Sequence, residues 1–346
     1  MWFEQGLSQA WASPAYRAVV VAIAVSTLLL LALITVLVVQ TFRRRSRRRR
    51  RRHLFEQLQE VLEAGQTPLA DWVREQGVRA NRVLESVLVQ LAVQGHRDQV
   101  RQAWDELGFD EKERSALKKG PTGRRLKAAR RLVVLGDASD REAVVEGVRR
   151  EDDRRFRIVA LHLLARIGNT SDVVAALKGV EIERRVMEQP FYSAFRSMDR
   201  QQLEELIHTD LSEVGQRVRW VLFDVAARQM IDGVDLRIRK MAKSDELERR
   251  IAAARIAGAL GKDEGRSILR ELLDDNNWEV RAQAVKGLGM VGEREDAPVL
   301  REIFISDDYW VRQNARWSLV QLEADQSAEL EPQQAHPVQV VPSARQ

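Results

Sequence analysis

The sequence predicts an all-α chain: a right-handed α-solenoid of stacked helical hairpins behind one N-terminal transmembrane helix. Three observations predict it. An uncharged apolar run extends from Ala18 to Val39, an arginine returns about every 31 residues, and apolar side chains follow that arginine at helical spacing.

The apolar run comes first. It holds 22 residues, with Ser26, Thr27 and Thr35 as its polar members. At 1.5 Å per residue it spans about 33 Å of helix, enough for about 30 Å of hydrocarbon. Trp11 and Tyr16 precede it and Phe42 follows it, where aromatic rings favour the interface. A cleaved signal peptide would carry its positive charge before a shorter apolar stretch; here the charge comes after a long one.

That charge is concentrated. Arg43, Arg44, Arg45, Arg47, Arg48, Arg49, Arg50, Arg51 and Arg52 form a run broken only by Ser46. The flank before the span carries only Glu4 and Arg17. The positive-inside rule then puts everything after the span in the cytoplasm and the first residues outside, at an inner (plasma) membrane. The run serves as a topology signal, and anionic lipid headgroups are its natural counter-charge.

Basicity elsewhere disappears. Lys+Arg is 56 against 51 Asp+Glu, so setting the nine arginines aside leaves 47 against 51, a net charge of −4. A nucleic-acid surface is therefore not expected. With no cysteine, disulfides and thiolate metal sites are excluded.

The repeat is read from Arg125, Arg157, Arg219, Arg250, Arg281 and Arg312. Three residues on stand Ala128, Ala160, Leu222, Ala253, Ala284 and Ala315; seven on stand Leu132, Leu164, Ala226, Ala257, Leu288 and Leu319. This is one face of a helix. Eleven on, Gly136, Gly168, Gly261 and Gly292 fit a left-handed residue closing it. An amphipathic helix precedes each arginine helix, as in Gln201 to Ile207, Glu264 to Leu273 and Asp296 to Ile305. An acidic turn lies between the two, such as Glu151-Asp152-Asp153, Asp274-Asp275 or Asp307-Asp308, placed to cap the second helix and pair with the arginine four to six residues later. The stretch around Glu188 to Tyr192 falls where a repeat is due but lacks the motif, and reads as degenerate.

The segment Asp274-Asp275-Asn276-Asn277-Trp278-Glu279-Val280-Arg281-Ala282-Gln283-Ala284 resembles a HEAT repeat, and Tyr309-Trp310-Val311-Arg312-Gln313-Asn314-Ala315 and Arg249-Arg250-Ile251-Ala252-Ala253-Ala254 are similar. The resemblance covers about Gly123 to Leu322. It implies an armadillo-like solenoid that binds a protein partner on the concave face lined by its second helices. The expected organisation is a short extracytoplasmic segment at 1–17, a transmembrane helix at 18–40, an Arg-rich juxtamembrane segment at 41–53, divergent helical repeats or a cap at 54–120, the solenoid at 121–323 and a disordered Gln/Pro-rich tail at 324–346. Within 54–120, the stretches Leu54 to Leu62, Val78 to Val93 and Gln99 to Leu107 read as helices.

Chemistry is sparse. His53, His96, His162, His208 and His336 share no metal-ligand spacing, there is no thiol nucleophile and no phosphate loop, so no catalytic residue, metal or cofactor is expected. Binding residues are better candidates. Five and nine residues after the repeat arginines, Arg130, Arg166, Arg228, Arg255 and Lys286 form a loose basic strip broken by Asp224, suited to an acidic segment of a protein partner. A solvated polar face is the plainer reading of the same residues. Trp278, Tyr309 and Trp310 either pack between successive repeats or form an aromatic patch at the solenoid edge.

The expected function is a membrane-anchored scaffold or adaptor whose partner is a membrane protein or its cytoplasmic domain. The alternatives are an enzyme or cofactor-handling subunit working on the concave face, as some lyase relatives of HEAT proteins do, or an accessory subunit of a membrane glycosyltransferase or export machine. Arginine outnumbers lysine 47 to 9, which points to a bacterium with a GC-rich genome.

Overall fold

The structure, a computed structural model, describes residues 14–79, 81–183 and 187–330. The expected extracytoplasmic segment up to residue 13 and the tail from 331 lie outside the described residues. Among the described residues there are helices and one isolated bridge, Lys178 with Val214, and no named strand. The chain divides into two compact units, one up to Glu111 and one from Lys112.

The first unit is built on α1 (Pro14–Ala64), one continuous helix of 51 residues, with no boundary at 40 or at 53. From Ser26 to Phe42 every side chain is exposed, Leu28 at 67% and Phe42 at 73%. Among the described residues no helix is long and apolar enough to cross a membrane. The side chains at 19–21 and 23–25, part of the expected span, lie outside the described residues, as do those of Arg43, Arg44, Arg45 and Arg47. Arg48 to Arg52 are exposed.

The far end of α1 packs. Leu58 and Leu62 are buried together with Leu84, Val87, Leu88 and Leu91 of α3 (Arg82–Leu91), whose Asn81 cap accepts the Val83 amide at 2.8 Å. A short α2 (Leu69–Glu75), not expected from the sequence, precedes it. A π-helical turn, Ala92–His96, in which Gly95 takes φ +112°, joins α3 to α4 (Arg97–Glu106). Trp104 of α4 is fully buried against Phe109, ring centroids 4.9 Å apart.

The second unit opens in α5 (Phe109–Lys119) and continues as hairpins: α6 (Thr122–Leu135), α7 (Arg141–Arg150), α8 (Arg154–Ile167), α9 (Thr170–Leu177), α10 (Gln189–Arg196), α11 (Arg200–His208), α12 (Gln216–Arg228), α13 (Val234–Ala242), α14 (Leu247–Ala257), α15 (Lys262–Leu272), α16 (Trp278–Val291), α17 (Ala297–Ser306) and α18 (Tyr309–Leu330). The even-numbered helices from α6 to α18 pack each on the next as one layer; α7, α9 and α11, and again α13 and α15, form the other. The expected core face holds: Ala128, Ala160, Leu222, Ala253, Ala284 and Ala315 are buried, as are Leu132, Leu164, Ala226, Ala257 and Leu288. They belong to one continuous cluster, the arrangement by which hairpins too small to bury their own stripes stabilise their neighbours.

The degenerate repeat keeps its place. α10 packs between α8 and α12 with only 8 residues, and Phe191 and Phe195 stand three and seven after Glu188 with both rings buried. Large rings there fill what alanine and leucine fill elsewhere. α18 continues past Glu323 to Leu330, so the helix extends into the segment expected to be disordered.

Two local expectations are corrected. Gly136, Gly168, Gly261 and Gly292 have φ of −61°, −90°, −53° and −70°, so none is left-handed. Glycine is needed for room. The Gly168 amide donates to the Leu164 carbonyl at 2.8 Å, and a Cβ would lie 2.7 Å from that same oxygen. The acidic turns do cap at Asp153, but at α16 Asn277 is the cap. Their carboxylates mostly pair with the arginine of the preceding hairpin instead of their own.

At the last hairpin the contact positions change character. One and four residues after the repeat arginine, Ala282 and Val285 are buried, whereas the equivalents in α18, Gln313 and Arg316, are exposed.

Candidate protein-interaction face

The repeat arginines are structural. Three of the guanidinium groups reach carbonyls of their own turn: Arg250 donates to Ser244 and Asp245, Arg281 to Asp275 at 2.9 Å and Arg312 to Asp307 at 2.8 Å. Three reach forward to a carboxylate of the next hairpin: Arg125 to Glu151 at 3.3 Å, Arg250 to Asp275 at 2.7 Å, and Arg281 to Asp307 at 2.6 Å and Asp308 at 2.9 Å. Arg157 pairs within its own turn, with Asp152 at 3.1 Å, and reaches the Ala175 and Lys178 carbonyls. Arg219 is the exception: burial and the neighbouring Arg249 hold its guanidinium below its usual range.

The other layer repeats the device, unanticipated from the sequence. Asp140, Asp172 and Asp296 are buried carboxylates that close capping boxes. Arg114 reaches Asp140 at 3.2 Å, Arg141 reaches Asp172 at 2.6 Å, and Arg266 and Arg270 reach Asp296 at 2.7 and 2.6 Å. The signal was a glycine followed by Asp, Asn or Glu and then Asp three further on, at Gly136, Gly168 and Gly292.

The predicted strip is only partly available for binding. Arg166 is exposed but fastened over the end of α6, donating to Val133 O and Gly136 O at 2.8 Å each. Arg228 grips Asp224 through Nε and Nη2 at 3.0 and 3.3 Å. Asp224 does not break the strip as a surface acid, because its side chain is only 4% exposed and Arg228 covers it. Burial and the Asp224 carboxylate push the Tyr192 hydroxyl up to about 12, and Arg196 lies 5.8 Å above the Tyr192 ring. Arg255 is half-buried beside this cluster, whereas Arg130 and Lys286 are exposed. His162 is half-buried, its Nδ1 2.9 Å from Ile158 O.

Trp278, Tyr309 and Trp310 do not pack between repeats. They are 39%, 57% and 61% exposed, with Tyr309 and Trp310 edge to face at 5.2 Å. Met290 and Trp317, exposed at 54% and 41%, extend this surface. Both sit at the strip positions five and nine after an arginine, so the same phase finds them. A Cβ on Gly289 would lie 2.8 Å from Trp317 Cζ3, so the ring rests over that glycine. Lys286 and Met290 on α16 and Trp310 and Trp317 on α18 are thus all exposed, with Trp317 resting on α16 three residues from Lys286.

Elsewhere, a cleft of about 660 Å³ beside α7 is lined by Lys118, Lys119, Arg141, Arg149, Arg150, Glu142, Glu146 and Asp172. Its charges meet each other, with Arg150 to Glu146 and Arg141 to Asp172 both at 2.6 Å. Among the described residues no three His, Asp or Glu side chains are placed to hold a metal ion.

Residues 235–320, from α13 into α18, match a family model described as HEAT repeats. No curated protein matches the chain. The family match supports the resemblance read from the sequence and the general role of such repeats as protein-interaction scaffolds.

Proposed function

We propose that the chain is a membrane-tethered scaffold. α1 holds it at the inner face of a membrane with both helical units on the cytoplasmic side, and α16 and α18 bind a protein partner belonging to a membrane complex. The observation that carries the binding role is the exposure of Lys286 and Met290 on α16 and of Trp310 and Trp317 on α18, on a layer where Arg125, Arg157, Arg250 and Arg281 are already paired. Large exposed rings beside a cation suit a segment that presents apolar side chains and carboxylates together. The tether rests on the uncharged stretch Ala18 to Val39, the exposed side chains from Ser26 to Phe42, and the arginine run after them.

A photo-crosslinking residue at Lys286 or Trp317, with a control at the exposed Arg301 of α17, tests the face in native membranes. Adducts from the first two positions and not from Arg301 are expected. Equal adducts from all three, or none, exclude this face. Alkaline washing tests the tether: the chain stays with the membrane pellet if α1 spans, and is released if it does not. Protease added from outside the cell leaves the two units intact if they lie inside.

A further inference from the structure

We infer that Met230 and the cleft it lines form a docking site for a segment of a protein partner that presents an apolar side chain beside a lysine or arginine. The site lies between the turn after α12 and the start of α15, and it does not rest on the α16–α18 face proposed above. It is found where the repeat breaks its own rule. Eleven residues after the arginine, four hairpins carry Gly136, Gly168, Gly261 and Gly292; the Arg219 hairpin carries Met230.

The exchange runs against backbone preference. The four glycines all have negative φ, whereas Met230 has φ +52° and is, among the described residues, the one non-glycine residue with positive φ. α12 closes there in a tight turn: the Met230 amide donates to Ala227 O and the Ile231 amide to Ala226 O, both at 3.0 Å. Glycine is the residue this turn favours, because a Cβ in the left-handed region crowds the backbone. Arg200 of α11 holds the turn in place, donating through Nη1 to Gln229 O at 3.1 Å and through Nη2 to Met230 O at 2.7 Å. The methionine side chain does not offset the strain by packing, since it is 70% exposed.

Instead it lines a cleft of about 360 Å³. Ile231, Val234 and Leu260 are buried along the same cleft and give it an apolar floor. Asp232, Asp235 and Glu264 line it too, and among the described residues no cation does. Asp232 meets Arg200 at 3.5 Å, whereas Asp235 and Glu264 make no ion pair among the described residues. Asp235 and Glu264 lie in the first turns of α13 and α15, where a carboxylate balances the helix dipole. That accounts for the acids and not for the methionine. An exposed, unbranched thioether beside an apolar floor adapts to a partner's side chain, and the carboxylates next to it select a cation flanking that side chain.

The test uses the full chain in the cells that make it, with a photo-crosslinking residue in place of Leu236, which is 66% exposed one residue past Asp235. An adduct is expected whose attached peptide, sequenced by mass spectrometry, comes from another protein and carries lysine or arginine beside the attachment point. Met230→Gly is expected to cut the yield at least fivefold while the melting temperature of the purified variant holds or rises, and Met230→Leu to keep the yield. Asp235→Asn combined with Glu264→Gln is expected to cut it at least threefold. No adduct, an attached peptide that is acidic or belongs to a second copy of this chain, or a yield unchanged by Met230→Gly overturns the inference. A melting temperature lowered by Met230→Gly overturns it as well, by giving the methionine a role in the fold. A yield unchanged by the carboxylate variant overturns the basic character of the partner segment.

Discussion

Arg250 and Asp275 are joined by two hydrogen bonds, Nε to Oδ2 at 2.7 Å and Nη2 to Oδ1 at 3.3 Å, across the joint between two successive hairpins. Both side chains are mostly buried, 19% and 9% exposed. Asp275 also accepts the Asn277 amide at 2.9 Å, so one carboxylate fixes both the joint and the turn that starts α16. Asp275→Asn is expected to destabilise the second unit by about 2 kcal/mol, since it strands a mostly buried guanidinium. Chemical denaturation checks this. Replacing both partners with apolar residues of similar size is expected to cost less than Asp275→Asn alone.

Acid should loosen the same joints. Burial tends to raise the Asp275 pKa, but the Arg250 and Asn277 hydrogen bonds outweigh it and hold it below the usual carboxylate range. The Arg281 hydrogen bond holds Asp307 low, and that of Arg155 holds Asp153 at about 2. Because these pKa values are depressed in the folded state, the stabilisation is complete above the unfolded value, about pH 4, and is lost as pH falls through the folded values. The denaturant midpoint is expected to drop steadily from pH 4 toward pH 2. The double variant Asp275→Asn, Asp307→Asn should show a shallower drop; an unchanged slope would show that these joints do not set the acid response.

Gly289 sets two physical effects against each other. Alanine is the better helix former by about 1 kcal/mol. Yet a Cβ there would lie 2.8 Å from Ser318 Cα, a backbone atom that cannot swing aside. Overpacking of this kind costs about 1–3 kcal/mol, so Gly289→Ala is expected to lower the melting temperature. A rise would mean that α16 and α18 separate without penalty.

The exposed rings should separate binding from stability. Trp310→Ala and Trp317→Ala remove side chains that are 61% and 41% exposed, so the melting temperature is expected to move little. Partner crosslinking through Lys286 is expected to fall at least fivefold in the double variant. A large loss of stability with unchanged crosslinking would make these rings structural.

The spacing of Arg219, Arg250, Arg281 and Arg312 was enough to place the second helices, because every hairpin repeats one packing problem and solves it with the same phase. Partners across the joints were harder to see. Asp275 stands six residues before Arg281 and twenty-five after Arg250, and sequence proximity favours the wrong arginine; only the stacking of α14 on α16 brings Arg250 round to it. The same blindness hid Arg141 with Asp172, 31 residues apart, although that separation is the repeat length itself. Gly168 was legible as a helix end but not for its reason, since a glycine chosen for space and one chosen for φ look alike in sequence. On the expected basic strip, Arg166 and Arg228 read as available cations because periodicity assigns a face and not a partner. Trp317 was in plain view at the phase that also leaves Arg130 and Lys286 exposed.

The polar pair Gln313 and Arg316 determines what the stack is able to do next. At the joints that follow Arg125, Arg157, Arg219, Arg250 and Arg281 those places offer an apolar or small side chain to the oncoming hairpin; here a neighbour would have to desolvate the Arg316 guanidinium. Stacking of another hairpin on this side of α18 would thus carry a desolvation cost that the internal joints do not, which disfavours end-on growth through it.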